Sequence, residues 1–287
     1  IRVTGPSALA CLERLMPVDL ANLAIKQQCY TLLTNNKGGI RDDLIICRRG
    51  EEDFLLVVNA ACKVADLAYL KSRMSEDNQL GLLDHQALLA LQGPASAEVI
   101  TQLAPSLLTL NFMQASACKI AGVRCFVTRS GYTGEDGFEI SLPSDDAETV
   151  ARALLAFDQV APAGLGARDS LRLEAGLSLY GHELNEQISP VEAGLSWTIP
   201  SSRRSGLRSQ GKARIRAETE LQTTAGQFAG IVTSGGYSPA TESAIAMAYV
   251  TLDLAQPGTQ LNALVRDKLR PVEVVDLPFV AHRYQQN

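Results

Sequence analysis

Aromatic and histidine residues are scarce in this chain of 287 residues: aromatics make up 5%, and histidine occurs three times. His85, His182 and His282 stand far apart and fit no ligand motif, so no metal centre is expected. The six cysteines, Cys11, Cys29, Cys47, Cys62, Cys118 and Cys125, form no CxxC pair and no zinc-type spacing. Scattered among apolar neighbours, they read as reduced core thiols of an intracellular protein. Positive charge is not in excess either. The net charge of −5 argues against broad binding of nucleic acid or of an anionic membrane. No apolar run approaches the roughly 18 residues that a membrane span requires. A GxSxG elbow, a P-loop and a strand–GxGxxG–helix unit are all missing, which withdraws support from hydrolase, nucleotide-hydrolysing and Rossmann readings.

What is present is an ordinary globular composition, 46% hydrophobic and 20% charged, at a length that suits two or three domains. Ile1-Arg2-Val3-Thr4 begins like a strand already under way and reads as part of a longer chain. Thr4-Gly5-Pro6-Ser7-Ala8 leads into an amphipathic stretch that stops at Pro17, and 88 positions later Gln92-Gly93-Pro94-Ala95-Ser96 does the same, stopping at Pro105. Each copy predicts a strand, a Gly-Pro turn and a short helix. The hairpins that follow are expected to correspond as well, Leu32–Ile46 against Phe126–Ile140, with Asp42 opposite Asp136. Two α+β halves around one layered core are the simplest result.

Apolar spacing predicts helices over Lys63–Met74, Asp145–Phe157 and Arg168–Ser178. From about Ser201 the chain changes character. Arg203, Arg204, Arg208, Lys212, Arg214 and Arg216 read as a basic connector, able to steer an acidic partner. Strand-like runs follow at Gln227–Thr233, Ser243–Leu252, Gln260–Val265 and Leu269–Val275, which predicts a small all-β sheet or barrel.

Three segments carry the chemistry. In Thr34–Ile46, Asn35-Asn36-Lys37-Gly38-Gly39 has turn composition, and Asp42 and Asp43 follow it directly. They are either solvated turn carboxylates or an acid–base group held rigidly at a strand start. In Gly131–Ile140, strand alternation places Glu139 opposite Phe138, Ile140 and Leu142, facing solvent or a cleft. In Gly164–Gly181, Arg168 and Arg172 share a helix face, where a surface salt bridge is the plain role for either. Further on, Trp197 reads as a core residue.

Together these segments resemble the aminomethyltransferase family of the glycine cleavage system, the T-proteins. The matching stretches are Asn35–Ile46, Val57-Val58-Asn59-Ala60, Leu88–Pro94, Gly131–Ile140, Gly164–Gly181, Ser189–Trp197, Thr233-Ser234-Gly235 and Leu277-Pro278-Phe279-Val280, in order along nearly the whole chain. The resemblance implies an α+β fold of two related ferredoxin-like folate-binding domains plus a C-terminal β-barrel in a clover-like arrangement. On this chain they would occupy residues 1–83, 84–200 and 201–287, with the N-terminal part and one or two barrel strands near Arg216–Glu218 lying outside it. It implies release of ammonia from the aminomethyl-dihydrolipoyl arm of an H-protein. The one-carbon unit goes to tetrahydrofolate, giving 5,10-methylenetetrahydrofolate.

By the same resemblance Asp43 is the catalytic carboxylate, with Asp42 a turn residue, and Asn59, Tyr132, Glu139, Arg168 and Tyr284 lie at folate-contacting positions. Tetrahydrofolate is then the co-substrate, with no metal or flavin, no nucleic acid and no membrane. The compartment is the cytoplasm in a bacterium or the mitochondrial matrix in a eukaryote. A folate-dependent demethylase of small methylated amines or sulfonium compounds, and a non-catalytic folate-binding accessory protein, are relatives of different function. The accessory proteins carry a cysteine signature where this chain reads Leu177-Ser178-Leu179-Tyr180-Gly181.

Overall fold

The computed structural model describes residues 1–195, 204–209, 215–266 and 268–285. Strand β1 (Arg2–Thr4) leads into helix α1 (Ala8–Leu15), then β2 (Gln27–Thr34), β3 (Ile40–Gly50), β4 (Asp53–Val57), α2 (Lys63–Arg73) and a short β5 (Gln79–Gly81). The plan is then repeated with β6 (Gln86–Gln92), α3 (Ser96–Leu103), β7 (Ala115–Ile120), β8 (Val123–Thr128), β9 (Gly137–Pro143) and α4 (Ala147–Leu155). The two antiparallel sheets have the orders β2-β3-β4-β1-β5 and β6-β9-β8-β7.

The Gly-Pro repeat is structural. Gly5 and Gly93 both take positive φ, at 141° and 119°, and donate their N–H groups to Glu52 O and Asp136 O respectively. Those two bonds also correct the expected hairpin match. Glu52, not Asp42, is the counterpart of Asp136, so β4 corresponds to β9 and β3 to β8. The sequence pairing was one strand out of step, because adjacent antiparallel strands with one buried face carry nearly the same apolar alternation.

Each sheet is covered on one face by its helices. Val3, Leu12, Leu44, Ile46, Phe54, Leu56 and Leu70 fill the first core, and Val99, Ile100, Val127, Phe138, Ile140, Leu142 and Val150 the second. The halves are joined at their edges: Gln28 N–H donates to Met113 O at 2.9 Å and Ala115 N–H to Lys26 O at 2.7 Å.

Helix α5 (Leu165–Glu174) opens earlier than the spacing predicted and ends earlier, with Gly176 at φ 68° just beyond it. After the irregular segment 175–195 come β10 (Arg204–Ser209), β11 (Glu220–Gln222), β12 (Phe228–Ser238), β13 (Ser243–Val250), β14 (Gln260–Val265) and β15 (Lys268–Val275). They close a barrel in the order β10-β13-β12-β11-β14-β15, with β15 pairing back onto β10. Leu207, Leu221, Val232, Ala246, Ala248, Leu261, Ala263, Val272 and Val274 fill its interior. The closed barrel has two strands more than the four strand-like runs indicated. One of them, β10, lies within the stretch read as a basic connector, where arginine and serine hide the alternation. Arg203, Lys212, Arg214 and Trp197 lie outside the described residues.

Candidate active site

The hairpin between β2 and β3 is closed by Asn35, whose Oδ1 accepts from the N–H groups of Lys37 at 2.9 Å and Gly39 at 3.0 Å. Gly38 sits at φ 83°, as a tight reversal requires. A Cβ on Gly39 would lie 1.8 Å from Glu186 O, so only glycine admits the segment that caps the hairpin. Ile40 N–H donates to Asn185 O and Ile188 O, both at 3.0 Å, which pins the start of β3.

Both aspartates lie beyond this turn, inside β3. Asp42 is completely buried, on the same face as Ile40, Leu44 and Ile46. It is therefore not the turn residue that the family resemblance implied. The turn ends three residues sooner, at Gly39, and the strand's alternation carries the Asp42 carboxyl inward.

A carboxylate without solvent needs donors. Asn59, just after β4, provides them: its N–H bonds Asp42 Oδ2 at 3.1 Å and its Nδ2 bonds Asp42 Oδ1 at 2.8 Å. The same Nδ2 reaches Asp43 Oδ1 at 2.8 Å, so one amide clamps both acids. The Tyr30 hydroxyl donates to the other Asp43 oxygen at 3.1 Å. Burial, and then the charge of Asp42, pushes the Asp43 carboxyl up to about 6, while the bonds from Asn59 and Tyr30 pull it down. Asp43 is thus oriented from two sides and holds its proton more tightly than a free carboxyl.

In the second half, Glu139 alternates with buried Phe138 and Ile140 on β9 and accepts from Ser130 Oγ at 2.7 Å. Its surroundings decide between the two orientations left open by the sequence. Glu139 lines a cavity of about 360 Å³ between the sheet faces that carry no helices, with Thr128, Phe126 and Ser141 on its side. Val57, Val58 and Ala60, the residues around Asn59, line the other side. A larger hollow of about 610 Å³ outside the hairpin tip is lined by Lys37, Arg41, Tyr69 and Arg73 among others, but by none of the expected site residues. The buried carboxylates, rather than volume, mark the candidate site, because a charge held out of water is what folding alone would avoid.

Tyr132 donates its hydroxyl to Ser178 O, and the Arg168 guanidinium lies 4.8 Å from its ring centroid. Burial pushes the Tyr132 hydroxyl up, and the Asp43 charge acts on it in the same direction, which puts the two groups within electrostatic range. Tyr284 stacks on Phe112 at 4.2 Å, with burial raising its hydroxyl as well. Its neighbour Arg283 pairs with Glu135 at 3.3 Å, on the loop that carries Tyr132. Among the expected residues, then, two pairs are in direct contact, Asp43 with Asn59 and Tyr132 with Arg168. Glu139 and Tyr284 are held by other side chains, Ser130 and Phe112.

Sequence reasoning missed two neighbours of the paired aspartates, Tyr30 and Asp66, and the surroundings of Arg172. Tyr30 stands on the strand opposite Asp43, a position that hairpin alternation could have flagged. Asp66, in the first turn of α2, is buried beside Asp42. Arg172 is not the surface residue expected. It is 2% exposed and bonds Asp169 at 2.8 Å, Glu183 at 3.1 Å and Ser234 at 2.9 Å.

The family profile described as the GCVT N-terminal domain matches residues 1–203, and that of the glycine cleavage T-protein C-terminal barrel domain matches residues 203–281. The mitochondrial aminomethyltransferase of Flaveria trinervia is 40% identical over 316 residues, covering 99% of this chain and 77% of the relative. The probable mitochondrial aminomethyltransferase of Schizosaccharomyces pombe is 39% identical over 307 residues, covering 98% and 79%. Among solved structures, the glycine cleavage system aminomethyltransferase T of Bartonella henselae superposes with a TM-score of 0.91 at 39% identity, covering 99% of this chain and 84% of that one.

Proposed function

The chain belongs to the glycine cleavage T-protein family and is an aminomethyltransferase, and we propose that Asp43 is the carboxylate on which its transfer turns. The family uses folate. In our reading the acceptor is tetrahydrofolate and the donor is the aminomethyl group on the dihydrolipoyl sulfur of an H-protein. The C–N bond to ammonia and the C–S bond to the lipoyl arm break. The freed carbon becomes bonded to two folate nitrogens, and the sulfur leaves as a thiol. Positive charge develops on the carbon as ammonia departs, and the attacking aryl amine must lose a proton. A fixed, partly dehydrated carboxylate meets both demands, since it stabilises the cation and takes the proton.

The observation that carries this reading is the double clamp on Asp43 by Asn59 and Tyr30, with the charge of Asp42 behind it. Glu139, oriented by Ser130 in the wall of the cavity, suits the paired N–H donors of a pterin edge. Arg168, exposed on the Tyr132 ring, suits an anionic tail, and Tyr284 beside Phe112 offers an aromatic face. The plant and yeast relatives are mitochondrial by name. We place a eukaryotic form of this enzyme in the matrix and a bacterial form in the cytoplasm.

The test is ammonia release from aminomethyl-loaded H-protein, measured with and without tetrahydrofolate. Folate-dependent release that disappears in Asp43→Asn supports the assignment. Full turnover by that variant would sink the role given to Asp43.

A further inference from the structure

Asp66 is 2% exposed, and its carboxyl is within hydrogen-bonding reach of Asp42, which is wholly buried. Two carboxylates this close and this dry do not both carry charge, so a proton lies between them. Asp42 already accepts two N–H bonds from Asn59, and such donors favour the charged form. Among the described residues Asp66 accepts no comparable bonds, and its Oδ2 is without a partner. The proton therefore belongs to Asp66. The other groups facing the pair are Arg41 and Asp43 on β3, Cys62 at the entrance to α2 and Tyr180 from the segment after α5. Arg41 is the cation of this set. Its charge opposes the upward shift of Asp66 without overcoming it, and its guanidinium lies 4.4 Å over the Tyr69 ring and 3.8 Å from Glu186.

We propose that Asp66 is a positioning residue for the transfer: as a neutral acid it hydrogen-bonds Asp42, which in turn holds the Asn59 amide against Asp43. The proposal rests on the role given to Asp43. Burial, and next the bond to Asp42, pushes the Asp66 carboxyl far above the ordinary carboxylate range. As pH rises and Asp66 ionises, a second negative charge enters the pocket. The two acids repel, the Asn59 clamp loosens, and Asp43 is left misaligned. Turnover accordingly falls on the alkaline side.

Asp66→Asn separates this role from mere packing, because its amide donates to Asp42 at every pH. That variant is expected to keep turnover within about threefold of the parent and to lose the alkaline fall, whereas Asp66→Ala drops turnover about tenfold with little change in KM for tetrahydrofolate. Infrared spectroscopy gives a readout independent of activity and of the Ala variant's folding. The carbonyl stretch of a neutral carboxylic acid, present in the parent protein at neutral pH, disappears in Asp66→Asn. An unchanged alkaline limb in Asp66→Asn, or no acid carbonyl band that depends on Asp66, overturns the proposal. Full activity of Asp43→Asn alongside a normal Asp66 band would instead bring down the reading of Asp43.

Discussion

Asp43 differs from an ordinary strand carboxylate in having its proton affinity raised by position. Its carboxyl is lifted from 3.8 to about 6, first by burial and second by Asp42. A base acts only when ionised, so turnover should rise with pH through a midpoint near 6, read from a kcat profile. The stability consequence has the opposite sense. The folded state binds this proton more tightly than the unfolded chain, so the group stabilises the fold at low pH. That contribution is lost as pH rises from about 4 towards 6. At pH 7 the ionised group is a burden, and Asp43→Asn, which removes the charge without changing shape, should stabilise the protein by about 1–2 kcal/mol while abolishing most turnover. Thermal unfolding and ammonia release on the same sample check both halves of that prediction.

At the scale of elements, the site depends on where β3 begins. The start of that strand is set by the Asn35 turn and by the two bonds from Ile40 to the 185–188 segment, which meets the chain where Gly39 has no side chain. Gly39→Ala would drive a Cβ into the Glu186 carbonyl, a backbone atom that cannot swing aside. The strand or the cap must move. The expected cost is about 2–3 kcal/mol in denaturant unfolding, with a fall in turnover because both aspartates shift with the strand. Gly38→Ala is a useful comparison: nothing lies within reach of the added carbon, so it should register only the backbone strain of its positive φ.

Over the whole molecule, helix α5 joins the halves to the barrel. Leu173 packs with Ile245, Met247 and Phe279, and Arg172 ties Glu183 in the irregular segment to Ser234 in β12. Removing one partner of a buried ion pair strands the other, so Arg172→Ala should destabilise by about 3–5 kcal/mol. Arg168, four residues earlier and exposed, should behave in the opposite way. Arg168→Ala should change stability by under about 0.5 kcal/mol and raise KM for tetrahydrofolate if the tail contact holds. Measuring both variants by unfolding and by kinetics separates architecture from binding on a single helix.

The sequence by itself determined whatever rests on neighbours along the chain. The Asn35–Gly39 turn, the Gly-Pro entries to α1 and α3, the span of α2 and the two-α+β-halves-then-β plan were all legible, because glycine, proline and apolar periodicity act within a few residues. Glu139 was placed on the face away from the core for the same reason, but whether that face met water or a cleft depended on the other sheet. Tertiary structure alone decided that Asp42 is buried, that β4 and not β3 matches β9, and that β10 is a barrel strand and not a connector. It also decided that Arg172 is internal while Arg168 is exposed, and it brought Asp66 to Asp42. Each of these depends on a partner far away in sequence. The free energy of a buried charge is set by the donors that meet it in space, which no local pattern encodes.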